Sequence, residues 1–137
     1  MSAKILIVDD HEIVREGIRR LISKSQREWK VCGEASDGEE AIEAVKALKP
    51  DLVILDITMP KISGLETASR LSKLGLGCPV LIFTMHESSR LGVEVRQAGA
   101  QGFVLKSQAA RDLVRAIDQL LAGKTFFGAE SQVAPTS

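Results

Sequence analysis

The chain has 137 residues, of which 45% are hydrophobic and 26% are charged. This length predicts one domain, and this composition is that of globular proteins, which excludes a disordered, collagen-like or coiled-coil chain. Lysine plus arginine and aspartate plus glutamate both number 18, so the formal net charge is zero. A chain without excess positive charge is a poor nucleic-acid binder by itself.

The apolar runs are short, and the cysteines are isolated. A run such as 5–8 is far shorter than the ~20 residues that a membrane helix needs. Two cysteines, Cys32 and Cys78, are too few for a disulfide scaffold. We therefore expect a cytoplasmic protein with no membrane segment and with both cysteines reduced and buried.

Apolar runs rich in Ile, Val and Leu alternate with stretches of helical periodicity. Continuous apolar runs of this length are typical of strands buried on both faces. The predicted strands are 4–8, 31–35, 52–55, 80–83 and 103–105. The predicted helices run from about 12 to 23, from a capping-box pattern at Asp37 and Glu40 to Pro50, from about 64, from about 87 to 98, and from about 108 to 121.

These elements make five β/α units in sequence. Strands that alternate with helices indicate an α/β fold with a parallel sheet and helices on both faces. Right-handed crossovers leave few topologies, and the doubly wound, five-stranded flavodoxin-like order 2-1-3-4-5 fits the length. We assign residues 1–123 to this domain and residues 124–137, which lack periodicity, to a tail or the start of a linker.

Polar residues stand where four of the five strands end. In open α/β sheets, ligands bind beyond the carboxyl ends of the strands. Asp9 and Asp10 follow the first strand, Asp56 the third, Thr84 the fourth and Lys106 the fifth, whereas the second strand ends in nothing chemically notable.

Three carboxylates that converge on one sheet edge repel each other, and a hard divalent cation neutralises them best. Mg²⁺ prefers carboxylate oxygens, and it leaves coordination positions open for a phosphate. Lys106 and Thr84 would contact phosphoryl oxygens, and Asp56 on the central strand is the candidate nucleophile for an aspartyl-phosphate. Each residue alone has a simpler interpretation, since an Asp at a strand end is usually a helix cap and Asp56 with Lys106 could be an ion pair. The occurrence of all five at one edge favours a metal and phosphate site.

The ordered motifs resemble the receiver domain of two-component response regulators. They are the segments 4–10 (KILIVDD), 55–60 (LDITMP) with Gly64, 83–84 (FT) and 102–106 (GFVLK). The resemblance covers about residues 4 to 122 and implies the CheY-like form of the flavodoxin-like fold.

The resemblance also implies roles for the residues at the strand ends. Asp56 matches the phosphoacceptor, which takes a phosphoryl group from a sensor histidine kinase. The divalent cation, Mg²⁺ or Mn²⁺, would be bound by Asp10 and Asp56 directly, by Asp9 through water and by the backbone carbonyl of Thr58. The remaining matches are Lys106 with the lysine that pairs with a phosphoryl oxygen, Thr84 with the switch hydroxyl and Phe103 with the switch aromatic residue. Such a domain is no enzyme beyond its own phosphorylation and dephosphorylation.

Some positions depart from the usual receiver pattern. Ser107 follows Lys106 where many receivers have proline after a cis bond, so the sequence leaves open the state of the Lys106–Ser107 bond. Met85 follows Thr84 where a small residue is common, and its bulk would narrow access to the phosphoryl group. Thr58 and His86 occupy variable positions that could tune dephosphorylation.

The segments 8–17 (VDDHEIVREG), 105–107 (LKS) and 123–127 (GKTFF) resemble the LuxR/NarL type. In that type a helix-turn-helix domain follows the receiver, and the ten residues after Phe127 are too few to form one. We expect a receiver fragment of a transcription regulator, with a stand-alone receiver as the alternative. Its partners would be a sensor histidine kinase and a second copy of the chain, with DNA bound only through the output domain.

Three rival functions are weaker. A Mg²⁺-dependent phosphohydrolase usually has an Asp two residues after the nucleophile, where this chain has Thr58. A flavodoxin-like electron carrier needs a phosphate loop after the first strand, where Asp9 and Asp10 would repel the phosphate. A degenerate receiver that acts only by binding is disfavoured, because all five site positions are present.

Overall fold

Five short apolar segments form one parallel sheet in the computed structural model, which describes residues 2–127. The strands are β1 (Ala3–Val8), β2 (Trp29–Ala35), β3 (Leu52–Leu55), β4 (Val80–Thr84) and β5 (Gly102–Leu105). The helices are α1 (Glu12–Lys24), α2 (Gly38–Leu48), α3 (Gly64–Lys73), α4 (Leu91–Gln97) and α5 (Ala109–Leu121), with a 3-10 turn, Lys106–Gln108, before α5. The strand order β2-β1-β3-β4-β5 confirms the predicted α/β fold and its topology.

The central strands are buried on both faces, as their continuous apolar sequences predict. In β1, Ile5 and Ile7 pack with residues of α1 and α5, while Leu6 and Val8 pack with residues of α2, α3 and α4. This alternation follows from the two-residue period of a strand. The sheet therefore lies between two hydrophobic layers. The loops at its carboxyl edge begin directly after buried strands, which fix the position of their first residues.

The start of α2 differs from the predicted capping box in one partner. Asp37 Oδ1 accepts a hydrogen bond from the Glu40 N–H at 2.8 Å, as predicted. Glu40 Oε1, however, accepts from the N–H of Ser36 at 2.9 Å, not from that of the cap residue. The glutamate still satisfies a free backbone donor at the entry to the helix.

Helix α4 is shorter than the sequence indicates, because it begins at Leu91 and not near Glu87. The N–H of Arg90 donates to Ser88 Oγ and the N–H of Leu91 to the Ser88 carbonyl, both at 3.2 Å, so a separate turn precedes the helix. No side-chain hydrogen bond caps its N-terminus. The loop between β4 and α4 is correspondingly longer than predicted.

Residues 124–127, the edge segment, pack on the domain although the sequence interpretation assigned them to a tail. Phe126 forms a parallel bridge with Gly102, donating to the Gln101 carbonyl at 3.0 Å and accepting from the Phe103 N–H at 2.8 Å. Phe126 joins the hydrophobic layer under α5, and Phe127 joins the layer under α4. The folded unit therefore extends to Phe127, and the rest of the predicted tail lies outside the described residues.

Two further expectations concern membrane helices and cysteines. Within residues 2–127, no helix is long and apolar enough to cross a membrane. Cys32 and Cys78 are free, but they are half-buried and not fully buried as predicted. Desolvation of Cys78 raises the pKa of its thiol to about 12, so this thiol is protonated at neutral pH.

Candidate functional site

The predicted site residues meet at the carboxyl edge of the sheet. Asp9 and Asp10 follow β1, Asp56 follows β3 and Lys106 follows β5, while Thr84 is the last residue of β4. Because parallel strands end at the same edge, four strands deliver these side chains to one place. The second strand brings none of the predicted residues, as expected.

An acidic cluster forms the centre of this edge. Potential ligand atoms of Asp9, Asp10, His11 and Asp56 all lie within 4.8 Å of one another. Asp9 is 1% exposed and Asp56 is 4% exposed, whereas Asp10 and His11 face solvent. Oxygen ligands on a half-open site fit a hard divalent cation that keeps water in its coordination shell.

Lys106 neutralises only part of this charge. Its Nζ lies 3.0 Å from Asp9 Oδ2 and 3.5 Å from Asp56 Oδ1. Three carboxylates and one ammonium leave two negative charges uncompensated when His11 is neutral. The two buried carboxylates, Asp9 and Asp56, share this one ammonium. An incompletely neutralised buried charge is unfavourable, so the cluster favours a bound cation.

The pKa of Asp56 reflects this incompletely neutralised negative charge. Burial and the negative charge of Asp9 raise the pKa of Asp56, while Lys106 and the backbone N–H of Thr58 act to lower it. The net direction is upward, so ionised Asp56 is destabilised relative to an exposed aspartate. A cation bound beside Asp56 would stabilise its ionised carboxylate, and a phosphoryl group attached to that carboxylate would replace its charge.

The loop after Asp56 depends on a glycine. The N–H of Gly64 donates to the Ile57 carbonyl at 2.6 Å. A Cβ on Gly64 would lie 1.9 Å from the carbonyl oxygen of Asp56, which no relaxation of a side chain could relieve. Thr58 is exposed within this loop, and the predicted role of its carbonyl stays a prediction.

The two predicted switch residues lie on neighbouring strands. Thr84 is fully buried, and its Oγ1 accepts a hydrogen bond from the His86 N–H at 3.1 Å. Phe103 on β5 is half-buried, and its ring meets the Phe127 ring edge-on with centroids 6.2 Å apart. Met85 is 72% exposed, so its side chain extends into solvent. Residues 2–127 include no cis peptide bond, so the Lys106–Ser107 bond is trans.

Sequence reasoning missed a set of charged residues beside the acidic cluster. Arg15 donates through Nη1 to the Asp9 carbonyl at 2.5 Å and through Nε to Glu34 Oε1 on β2 at 2.8 Å. Glu12 and Arg15 are three residues apart, a spacing that indicates one face of α1. No sequence signal links either residue to Glu34, because that contact depends on how α1 packs against β2.

Comparison with known proteins agrees with this geometry. Residues 5–118 match the response regulator receiver domain. The chain is 38% identical over 122 residues to the nitrate/nitrite response regulator protein NarL of Escherichia coli (strain K12), and 36% identical over 126 residues to the response regulator UvrY of Escherichia coli O6:H1. These alignments cover 89% and 92% of this chain but 56% and 57% of the relatives, so it spans little more than half their length.

Solved structures share the fold. A LuxR-family two-component response regulator from Aurantimonas sp. SI85-9A1 superposes with a TM-score of 0.89 at 38% identity, covering 96% of this chain and 94% of that one. The receiver domain of the putative response regulator NarL from Mycobacterium tuberculosis gives a TM-score of 0.84 at 33% identity, covering 90% and 98%. The family match, the shared fold and the acidic cluster lead to one conclusion: this chain belongs to the response regulator receiver domain family and resembles regulators of the NarL and LuxR type.

Proposed function

We propose that this chain is a phosphoacceptor domain in which Asp56 takes a phosphoryl group from a sensor histidine kinase. The observation that carries the proposal is the acidic cluster of Asp9, Asp10 and Asp56 with Lys106 beside it. Asp56 is buried at the end of the central strand β3, so its carboxylate is held in one place. Positioning and charge neutralisation are what phosphoryl transfer requires of a protein.

In the proposed reaction, a carboxylate oxygen of Asp56 attacks the phosphorus of a phosphohistidine. The new bond joins that oxygen to phosphorus, and the phosphorus–nitrogen bond breaks with its electron pair returning to the imidazole. Lys106, now near Asp56 Oδ1, would pair with a phosphoryl oxygen of the product. A bound Mg²⁺ or Mn²⁺ would supply charge neutralisation, held by Asp10, Asp56, the Thr58 carbonyl and, through water, Asp9.

The phosphoryl group would change the contacts of Thr84. The Thr84 hydroxyl oxygen accepts a hydrogen bond from the His86 N–H. In the phosphorylated chain this hydroxyl would turn toward the phosphoryl oxygens and draw the β4–α4 loop with it. Phe103 would then move toward the space that the loop leaves. Because the Phe103 ring contacts Phe127, this movement would reach the edge segment at the end of the described chain.

We further propose that the chain is the receiver part of a DNA-binding transcription regulator. A curated relative from Pseudomonas aeruginosa is named a putative transcriptional regulator and is 40% identical over 125 residues. The zero net charge is consistent with DNA being bound through an output domain and not through this segment. The free cysteines agree with the cytoplasmic location that a kinase partner implies. A stand-alone receiver that acts by protein contact, including a homodimer, is the alternative.

Intact mass spectrometry tests the phosphoacceptor role. The protein is incubated with acetyl phosphate and Mg²⁺, beside Asp56→Asn and beside a sample containing a metal chelator. We expect a gain of one phosphoryl group that is absent from both. Asp118→Asn, which removes a half-exposed carboxylate on α5, is the matched control and should be labelled like the original chain.

Two results would contradict the proposal. Labelling that persists in Asp56→Asn would assign the acceptor to another residue, and no labelling of the unaltered chain would refute phosphoryl acceptance. Rapid release of many phosphate equivalents per chain would instead favour a phosphohydrolase. The sequence disfavours that outcome, because Thr58 stands where such enzymes usually have an acid.

A further inference from the structure

The guanidinium of Arg15 joins three elements next to the acidic cluster. It donates to the Asp9 carbonyl at the end of β1, to Glu34 Oε1 on β2 at 2.8 Å, and to Glu12 Oε1 in the first turn of α1. Its side chain is only 15% exposed. The planar fork of an arginine can serve three acceptors in fixed directions, which the point charge of a lysine cannot.

The contact with Asp9 completes the anchoring of that residue. The Asp9 N–H donates to the Ala35 carbonyl at 3.1 Å, Oδ1 accepts from the His11 N–H at 2.9 Å, and Oδ2 accepts from Lys106. The remaining backbone group of Asp9, its carbonyl, accepts from the Arg15 guanidinium. Removal of the guanidinium would leave this oxygen without that donor in a largely buried position.

The position of Asp10 follows from that of Asp9. Asp10 is the exposed carboxylate of the cluster, and its Oδ1 lies 3.1 Å from His11 Nδ1. It belongs to the short connection between β1 and α1, and the Asp9 carbonyl is part of the peptide group that leads into it. A shift of that peptide would move Asp10 relative to Asp56.

The arginine is itself held by a ring of charges. Glu34 accepts from Arg15 and from Arg19, and Glu12 also accepts from both arginines. The ring joins α1 to the edge strand β2. Surface ion pairs contribute more when several charges form a network, so contacts on both α1 and β2 restrain Arg15.

We propose that Arg15 is a positioning residue for the metal-binding pair Asp9 and Asp10, and that Glu34 holds Arg15 in place. This inference rests on the proposed function, because it gives the acidic cluster a divalent cation to bind. Arg15 acts through the backbone of Asp9 and is not a catalytic residue. Groups that orient metal ligands typically change metal affinity by about 10–100-fold when they are removed.

Binding of Mg²⁺ alone tests the inference, with no phosphoryl donor present. Calorimetric titration compares the unaltered chain with Arg15→Gln, Arg15→Lys and Glu34→Gln. We expect about tenfold weaker binding for Arg15→Gln, little rescue by Arg15→Lys, and a smaller loss for Glu34→Gln. Arg20→Gln is the matched control, because Arg20 is on the same helix but pairs with exposed Glu16, and it should bind Mg²⁺ normally.

Two readouts separate positioning from a merely structural ion pair. Amide hydrogen exchange without metal should become faster at Asp10 and His11 in Arg15→Gln. Labelling by acetyl phosphate should need about tenfold more Mg²⁺ in that variant but reach the original rate at saturation. Thermal melting of each variant checks that it is folded, and Glu34→Gln carries the test if Arg15→Gln does not fold.

The outcomes distinguish this inference from the proposed function. Unchanged Mg²⁺ affinity in folded Arg15→Gln and Glu34→Gln would overturn the inference, whatever their melting temperatures. If the unaltered chain is labelled, a labelling rate of Arg15→Gln that stays below that of the unaltered chain at saturating Mg²⁺ would also overturn the inference, since the arginine would then affect more than the metal ligands. Weakened Mg²⁺ binding in a chain that never accepts a phosphoryl group would uphold the inference and refute the proposed function.

Discussion

Gly64 leaves no room for a side chain beside the carbonyl of Asp56. An alanine Cβ would lie 1.9 Å from that oxygen and 2.6 Å from the Cα of Ile57, so the backbone of the loop itself would have to move. We expect Gly64→Ala to lower stability by roughly 1–3 kcal/mol, in the range of overpacking a tight site. It should also slow phosphoryl acceptance, because the loop carries Asp56. Urea unfolding and intact-mass labelling measure the two effects.

Gly17 provides the matched control for that substitution. It lies within α1, and a Cβ there would meet nothing within 4 Å. Alanine is favoured over glycine in a helix by about 0.5–1 kcal/mol, so Gly17→Ala should stabilise the chain and leave labelling unchanged. If Gly64→Ala behaved like Gly17→Ala, the close approach of Gly64 to Asp56 would be wrong.

The raised pKa of Asp56 predicts that its charge opposes folding. Burial and Asp9 raise the folded-state pKa above the ordinary value of 3.8, so the folded state binds the proton more tightly than the unfolded chain. The resulting loss of stability is absent below pH ~3.8, grows as pH rises through the folded-state pKa, and is constant above it. Asp56→Asn should therefore melt higher than the original chain at pH 7.

Thermal unfolding in a metal-chelating buffer measures this effect. We expect Asp56→Asn to melt at a higher temperature than the original chain at pH 7, because the variant has no buried charge at this position. The difference should disappear below pH ~4. Asp118→Asn, the control, loses an ion pair with Arg27, and its melting temperature should not rise. An Asp56→Asn variant that melts lower than the original chain at pH 7 would contradict the direction of the shift.

The site residues at the strand ends could be predicted from the sequence, but the residues that hold them in place could not. A parallel sheet brings the ends of its strands together, so Asp9, Asp56 and Lys106 could be grouped from their places in the sequence alone. Arg15 and Glu34 are 19 residues apart, and they meet because α1 packs over β2 at one particular angle. Sequence spacing carries no information on that angle.

The same contrast holds for whole elements. The alternation of buried strands with periodic helices was enough to predict five β/α units. The edge segment lacks any periodicity, yet two consecutive phenylalanines each enter a hydrophobic layer, one on each face of the sheet. A one-residue bridge gives no pattern to detect. The start of α4 was predicted too early, because hydrogen bonds to Ser88 hold the residues just before Leu91 in a separate turn, and no sequence spacing signals it.

The edge segment should contribute strongly to stability. Phe126 is 1% exposed, and its backbone pairs with both neighbours of Gly102. Phe126→Ala would leave a cavity in the layer under α5, so we expect it to cost about 3–5 kcal/mol by urea unfolding. Leu76→Ala, at a side chain that is 49% exposed, should change stability by no more than about 0.5 kcal/mol. Equal effects for the two variants would mean that the segment is not docked in solution.

At the scale of the whole molecule, the site joins parts of the chain that are distant in sequence. Lys106 and Asp9 are 97 residues apart, and the strands that carry them are separated by β3 and β4. The acidic cluster therefore exists only when the complete sheet has formed. A ligand that binds this cluster binds the folded state alone, and it must stabilise the entire domain.

Mg²⁺ should accordingly raise the midpoint of global unfolding. At a free concentration 100 times its dissociation constant, a ligand specific for the folded state adds about 2.7 kcal/mol. Asp10→Asn removes the exposed carboxylate of the cluster, so that variant should fold normally but lose most of the effect. NaCl of equal ionic strength separates specific binding from screening of the uncompensated charge. If NaCl reproduced the whole increase, or if Asp10→Asn retained it, the cluster would be a set of charges that salt screens and not a Mg²⁺ site. Only a site that holds the cation at defined oxygens distinguishes Mg²⁺ from bulk salt.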